Sequence, residues 1–213
     1  MKVDTVNKIN IFVGKRNSGK SILMKYMIKR NMTSFRKIYL VSPSKKINCF
    51  YRDIVKKECI YDEYNEKWME LLISSMTKKN EGLTQKDKKF SNILLVLDDL
   101  ASDANFHNSK SLQILCARGR HLGITLYISL QHLNSCPPLV RSNTDYVFCG
   151  KLSRTSLELL IENYMSGEVD RKEFINIYNK STVNYNFLII YNNATINNDL
   201  NLIYSSIKVN DVE

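Results

Sequence analysis

Apolar residues in this chain come in short unbroken runs, separated by stretches with helical spacing, and the alternation continues along the sequence. Residues 9–13 (Ile-Asn-Ile-Phe-Val) form a β-branched and aromatic run that predicts a first strand. Residues 20–30 repeat with helical period and place Ile22, Leu23, Tyr26 and Met27 on one face. A second strand is predicted over 37–41, stopped by Ser42-Pro43-Ser44, and a helix over 64–76 with Trp68, Leu71, Leu72 and Ser75 in line. The run 93–97 (Ile-Leu-Leu-Val-Leu) has no polar alternation and ends in Asp98-Asp99. Such runs belong to strands covered on both faces, which implies a parallel sheet between helical layers. Further on, the pattern gives a helix over 109–121 closed by Gly123, then a strand over 124–130 ending at Gln131. After the Pro137-Pro138 break it gives a strand over 146–149, helices over 153–164 and 171–178, and a strand over 186–191. Residues 77–90 are the most polar stretch and are expected to form an exposed loop, and 202–207 offer an optional edge strand. The expectation is one three-layer α/β domain over 1–213, with a core of about 8–192 and a tail from 193.

Charge narrows the partners. Lys and Arg number 31 against 21 Asp and Glu, a formal net charge of +10, which favours a polyanionic partner, nucleic acid first and a membrane surface second. Five cysteines (Cys49, Cys59, Cys116, Cys136, Cys149) have neither paired nor metal-ligand spacing and are expected to be reduced core thiols. No signal peptide opens the chain and no apolar run approaches the length of a membrane span, so a soluble intracellular protein is expected.

The chemistry is concentrated at strand ends. Gly14-Lys15-Arg16-Asn17-Ser18-Gly19-Lys20-Ser21 matches G-x-x-x-x-G-K-[ST], between an apolar strand and a helix where that loop belongs. The glycines let successive N–H groups face phosphates, and the following helix adds its N-terminal donors and dipole. Lys20 is the candidate for the β- and γ-phosphates, and the Ser21 hydroxyl is the candidate Mg²⁺ ligand. Residues 14–22, Ile22 included, form the expected nucleotide-binding segment for ATP. Asp98 ends the apolar strand and is the second expected Mg²⁺ residue, while Asp99 is the candidate to polarise the attacking water. Gln131 ends the next strand, where a polar side chain can contact both the γ-phosphate and that water.

The segment from Ala117-Arg118-Gly119-Arg120 through His121-Leu122-Gly123-Ile124 to Ser129-Leu130-Gln131 resembles the corresponding part of FtsK–HerA ATPases. Pro137-Pro138-Leu139-Val140-Arg141-Ser142-Asn143-Thr144-Asp145-Tyr146 and the Leu97-Asp98-Asp99-Leu100 end are similar to the packaging ATPases of large nucleocytoplasmic DNA viruses and their relatives. The resemblance spans residues 9–164. It implies a RecA/ASCE-like P-loop NTPase sheet, mainly parallel, with an extra strand between the Walker A and Walker B strands. It also implies a homo-oligomeric ring, hexamer or pentamer, with ATP sites between subunits and an arginine reaching the neighbour's γ-phosphate. Arg120 matches that basic position, with Arg118 and Arg141 as the other candidates. Many motors of the superfamily carry Glu after the Walker B Asp; Asp99 stands there in this chain, as in the viral packaging branch.

The function that this resemblance implies is an ATP-hydrolysing translocase that packages double-stranded viral DNA into a capsid, acting in the host cytoplasm, in a viral factory, or in the virion. Capsid proteins would be partners. Lys78, Lys79, Lys86, Lys88 and Lys89, with Arg118 and Arg120, are candidates for sequence-independent phosphate contact. A helicase or DNA-transfer ATPase of the same superfamily, and an ATP-binding assembly switch without motor action, are the alternatives. Asn179-Lys180-Ser181-Thr182 lacks the Asp that reads guanine, which disfavours a GTPase. A small-molecule kinase is disfavoured because no Arg-rich lid is visible.

Overall fold

The computed structural model describes residues 3–81, 92–167, 169–192 and 203–208. One eight-stranded sheet runs through it in the order β3-β2-β4-β5-β1-β6-β7-β8. The strands are β1 (Ile9–Val13), β2 (Lys37–Val41), β3 (Ile60–Tyr61), β4 (Ile93–Asp98), β5 (Ile124–Leu130), β6 (Tyr146–Cys149), β7 (Asn186–Tyr191) and β8 (Tyr204–Lys208). β3, β2, β4, β5, β1 and β6 pair in parallel, while β7 is antiparallel to both β6 and β8. β8 is the edge strand anticipated within the tail, displaced two residues C-terminally at its start.

Helices cover both faces. They are α1 (Lys20–Arg30), α2 (Lys45–Phe50), α3 (Glu66–Asn80), α4 (Ala104–His107), α5 (Lys110–Arg118), α6 (Pro138–Ser142), α7 (Arg154–Tyr164) and α8 (Arg171–Ser181). Alternate residues of each central strand enter two separate cores. Ile11, Val13, Leu95, Leu97, Ile128 and Leu188 pack with α3, α5, α7 and α8. Phe12, Leu94, Val96, Tyr127, Phe148 and Phe187 pack with α1 and with Tyr51 and Val55. This two-sided burial is why the strands read as continuous apolar runs.

Two helical faces differ from expectation. On α1 the buried residues are Leu23, Met24, Met27 and Ile28, and Ile22 is 48% exposed. On α3 they are Met69, Leu72 and Met76, whereas Leu71 is 70% exposed. In both cases the unbranched methionines fill the inward stripe, rotating it by about one residue. The helix predicted over 109–121 is shorter: α5 starts after the Ser109 cap and stops at Arg118, and two turns lead to Gly123 in the left-handed region (φ 67°). All five cysteines are free; Cys59, Cys116, Cys136 and Cys149 are buried, but Cys49 on α2 is exposed, contrary to a uniform core placement. Lys86, Lys88 and Lys89 lie outside the described residues. Among the described residues, no helix is long and apolar enough to cross a membrane.

Candidate functional site: the phosphate cradle

β1 lies between β5 and β6, and the chain leaves β1 for β2 on one side but leaves β5 for β6 on the other. The carboxyl ends of strands at such a switch point are where open α/β sheets hold ligands. The loop 14–19 occupies this place. Gly14 N–H donates to Leu130 O (3.2 Å), Lys15 N–H to Lys151 O (2.8 Å) and Ser18 N–H to Lys15 O (3.2 Å), which ties the loop to the tips of β5 and β6. Asn17 (φ 59°) and Gly19 (φ 91°) take left-handed conformations that turn the backbone N–H groups inward. A Cβ on Gly14 would stand 2.8 Å from Ser18 Oγ and 3.4 Å from Gly150 Cα, so close packing demands glycine there.

Gly19 caps α1 without a side-chain hydrogen bond, and no acidic residue occupies the first turn. The first-turn N–H groups and the helix dipole are therefore available to an anion. Lys20 is 9% exposed and donates to Gly14 O (2.7 Å) and Lys15 O (3.0 Å). Its ammonium carries three donors, so one remains for a phosphate oxygen. Burial lowers the Lys20 pKa, opposed by the charges of Asp98 and Asp99.

Those carboxylates arrive from β4. Asp98 is 2% exposed, at the strand tip opposite Ser129 of β5. Burial raises its pKa; a hydrogen bond from Ser129 lowers it, the neighbouring Asp99 raises it and Lys20 lowers it. Asp98 Oδ2 and Ser18 Oγ are buried without a hydrogen-bond partner. An unpartnered carboxylate oxygen and a hydroxyl beside a phosphate cradle, with Ser21 half-buried on the first turn of α1, make a hard oxygen set that suits Mg²⁺. The residues present fit that ion.

Asp99 itself adopts φ 59°, and Gln131 Nε2 donates to Asp99 Oδ1 at 3.1 Å. The structure thus brings together Lys20, Asp98, Asp99 and Gln131 at the ends of β1, β4 and β5. Ile22, expected in the nucleotide segment, lies exposed on the same first turn.

The arginines are elsewhere. Arg120 forms an ion pair with the 1%-exposed Asp145, whose Oδ2 accepts from Ile9 N–H (2.8 Å) at the start of β1. That is the edge of the sheet opposite the cradle. A cavity of about 280 Å³ opens beside it, lined by Lys8, Cys116, Arg120, His121 and Asn143 among others. Arg118 is exposed at the end of α5, and Lys78 and Lys79 end α3, which is joined to the Gly123 turn by an Asn80–Leu122 O bond (2.9 Å). Arg141 is half-buried and donates to Cys136 O (2.7 Å), so it is held inside the β5–β6 connection.

Two participants escaped the sequence pattern. Tyr51, fully buried, donates its hydroxyl to Ser21 O (3.2 Å). Asn48 donates to Ser42 O (3.1 Å) and Asp62 Oδ1 (2.6 Å), fastening the tip of β2. Both lie on or next to a six-residue helix too short and polar to leave a periodic signal.

A family profile described as "Poxvirus A32 protein" matches residues 6–212. The chain belongs to the Poxvirus A32 protein family. Among curated relatives, the A32-family chain is 31% identical over 169 residues to the uncharacterized protein 075L of Invertebrate iridescent virus 6, covering 79% of this chain and 64% of that one. It is 28% identical over 138 residues to the uncharacterized protein 015R of Frog virus 3, covering 65% and 42%. The chain thus spans less than two thirds of the length of these relatives. Among solved structures, it resembles the genome packaging NTPase B204 of Sulfolobus turreted icosahedral virus 2 in complex with AMPPCP: TM-score 0.64, 21% identity, 95% of this chain and 97% of that one. It also resembles the pCW3 conjugation coupling protein TcpA with ATPgS: TM-score 0.64, 17% identity, 92% and 61%. In fold the A32-family chain shares the mainly parallel α/β sheet of these P-loop proteins, with β5 lying between β1, which leads into the 14–21 loop, and β4, which ends in Asp98.

Proposed function

We propose that this chain hydrolyses ATP to drive double-stranded viral DNA into a capsid, as a subunit of a homo-oligomeric ring. The observation that carries the reading is the convergence of Lys20, Asp98, Asp99 and Gln131 on one phosphate cradle. Family membership and the likeness to a genome packaging NTPase support packaging over other motor roles.

In this reading the loop amides and the remaining Lys20 donor bind the β- and γ-phosphates. Ser21 and the unpartnered Asp98 oxygen would hold Mg²⁺, which would neutralise charge developing on the phosphoryl oxygens. Gln131 fixes the Asp99 carboxylate, which accepts the proton of the attacking water. The water oxygen bonds to the γ-phosphorus, the bridge to the β-phosphate breaks, and ADP leaves with inorganic phosphate. Arg120, on the far edge of the sheet, can meet only a neighbouring subunit's γ-phosphate. It must first exchange its Asp145 partner for that anion. Arg118, Lys78 and Lys79 share this far edge and supply phosphate-directed charge for DNA.

The test is turnover of Mg-ATP with and without duplex DNA, compared with Lys20→Ala. DNA-stimulated hydrolysis that vanishes in the variant is expected. Hydrolysis indifferent to DNA would reduce the chain to an assembly switch, and absence of adenine-nucleotide binding would overturn the reading.

A further inference from the structure

The phosphate cradle leaves one direction for the remainder of a nucleotide. Asp98, Asp99 and Gln131 end β4 and β5, so the terminal phosphate and the attacking water belong on that side of β1. The ribose and base must extend the other way, over the tips of β6 and β7. Contact is continuous in that direction: a Cβ on Gly14 would come within 3.4 Å of Gly150 Cα, and one on Gly150 within 2.9 Å of the Phe187 ring. The register pairs Cys149 with Leu188, which puts Gly150 beside Phe187 and residue 185 two positions further toward the cradle's edge.

At that point α8 passes into β7 through Val183-Asn184-Tyr185. Asn184 (φ 53°) and Tyr185 (φ 61°) are consecutive left-handed residues, and Asn186 N–H closes the turn on Val183 O (3.0 Å). A tyrosine in this region is disfavoured, and such backbone strain concentrates where a ligand is held. The result is a large ring 60% exposed, next to Val183 at 46%, on the same sheet edge as the phosphate loop.

We propose that Tyr185 is the nucleobase platform: its ring stacks on the base of the nucleotide whose phosphates the loop 14–19 binds, with Val183 extending the apolar surface. An aromatic face accepts any base, so the platform adds affinity for the nucleoside part without selecting adenine. The proposal rests on the nucleotide-binding reading above, and its test separates the two.

Calorimetric titration of the full chain with Mg-ATP and with Mg-tripolyphosphate supplies that test, using Tyr185→Asn and Tyr185→Phe. Asparagine keeps the left-handed turn while removing the ring. Tyr185→Asn is expected to weaken ATP binding by about tenfold or more, with tripolyphosphate affinity unchanged and Tyr185→Phe close to native. Unchanged ATP affinity in Tyr185→Asn overturns the platform and leaves the phosphate site standing. A parallel loss of both ligands also overturns it, since the turn would then merely support the fold. Native protein that binds neither ligand overturns the nucleotide-binding reading, and the platform with it.

Discussion

Asp99 occupies a backbone position with φ 59°, and that conformation accounts for its identity. Asp and Asn tolerate the left-handed region far better than Glu, because a short polar side chain can bond locally there. The aspartate in place of the commoner glutamate thus suits a turn that points the carboxylate at Gln131. Asp99→Asn should preserve this turn and Mg-ATP binding while cutting turnover by about 100-fold or more, the usual scale for a lost general base; single-turnover kinetics beside a binding titration will show the split. Asp98 gives a pH signature. Its folded pKa is raised above the usual carboxylate value, first by burial, so the folded state holds the proton more tightly than the unfolded chain. Its contribution is therefore fully present below about pH 3.9, and is lost as pH rises through the raised folded value. Without metal, Asp98→Asn should raise the melting temperature at neutral pH and flatten its pH dependence. Added Mg²⁺ should stabilise the native protein but not the variant.

Among the elements, strands were the most legible in sequence. β1, β2, β5, β6 and β7 fall where the apolar runs put them, because their middles are buried between the two helical layers even where an end residue such as Lys37 or Asn186 is not. The longer helices were legible in place but not in face, since methionines substitute for the branched residues that mark an inward stripe, and α3 runs through 77–80, the start of the stretch expected as a loop. α2, β3 and α6 gave no signal: each is six residues or shorter and held by tertiary bonds, such as those of Asn48, rather than by its own pattern. The site followed the same rule. The loop and the carboxylates are fixed by strand ends and could be read, but Tyr51 reaches Ser21 only through the fold. The Gly-Ile turn before β5 also has a specific demand. Gly123 sits at φ 67° with Asn92 Oδ1 only 2.9 Å from where a Cβ would stand, and its carbonyl accepts from Ile93 N–H (2.9 Å). Gly123→Ala should cost about 1–2 kcal/mol from the left-handed backbone alone, seen as a lower midpoint in chemical denaturation.

At the scale of the whole molecule, the cradle and the arginines stand on opposite edges of one sheet. Under the proposed function, a chain built this way would offer the candidate phosphate-binding loop on one side and Arg118 and Arg120 on the other, an arrangement suited to head-to-tail contacts that close into a ring. The reading predicts complementation. Lys20→Ala retains its Arg120, and Arg120→Ala retains its cradle, so each should be inactive alone. A mixture of the two should recover part of the DNA-stimulated turnover, through interfaces that join an intact cradle to an intact arginine. No recovery at any ratio would argue that Arg120 serves its own subunit by pinning Asp145. With a net charge of +10, DNA affinity should also fall steeply with added salt.

The uneven placement of the thiols has a practical consequence. Burial pushes the Cys116 thiol up to about 12 and raises those of Cys59, Cys136 and Cys149, which leaves Cys49 as the accessible thiol. A maleimide dye should attach there without any prior removal of cysteines. Cys49 lies two residues before Tyr51, whose hydroxyl touches the Ser21 carbonyl, so a fluorophore at this point would report the arrival of a nucleotide in real time.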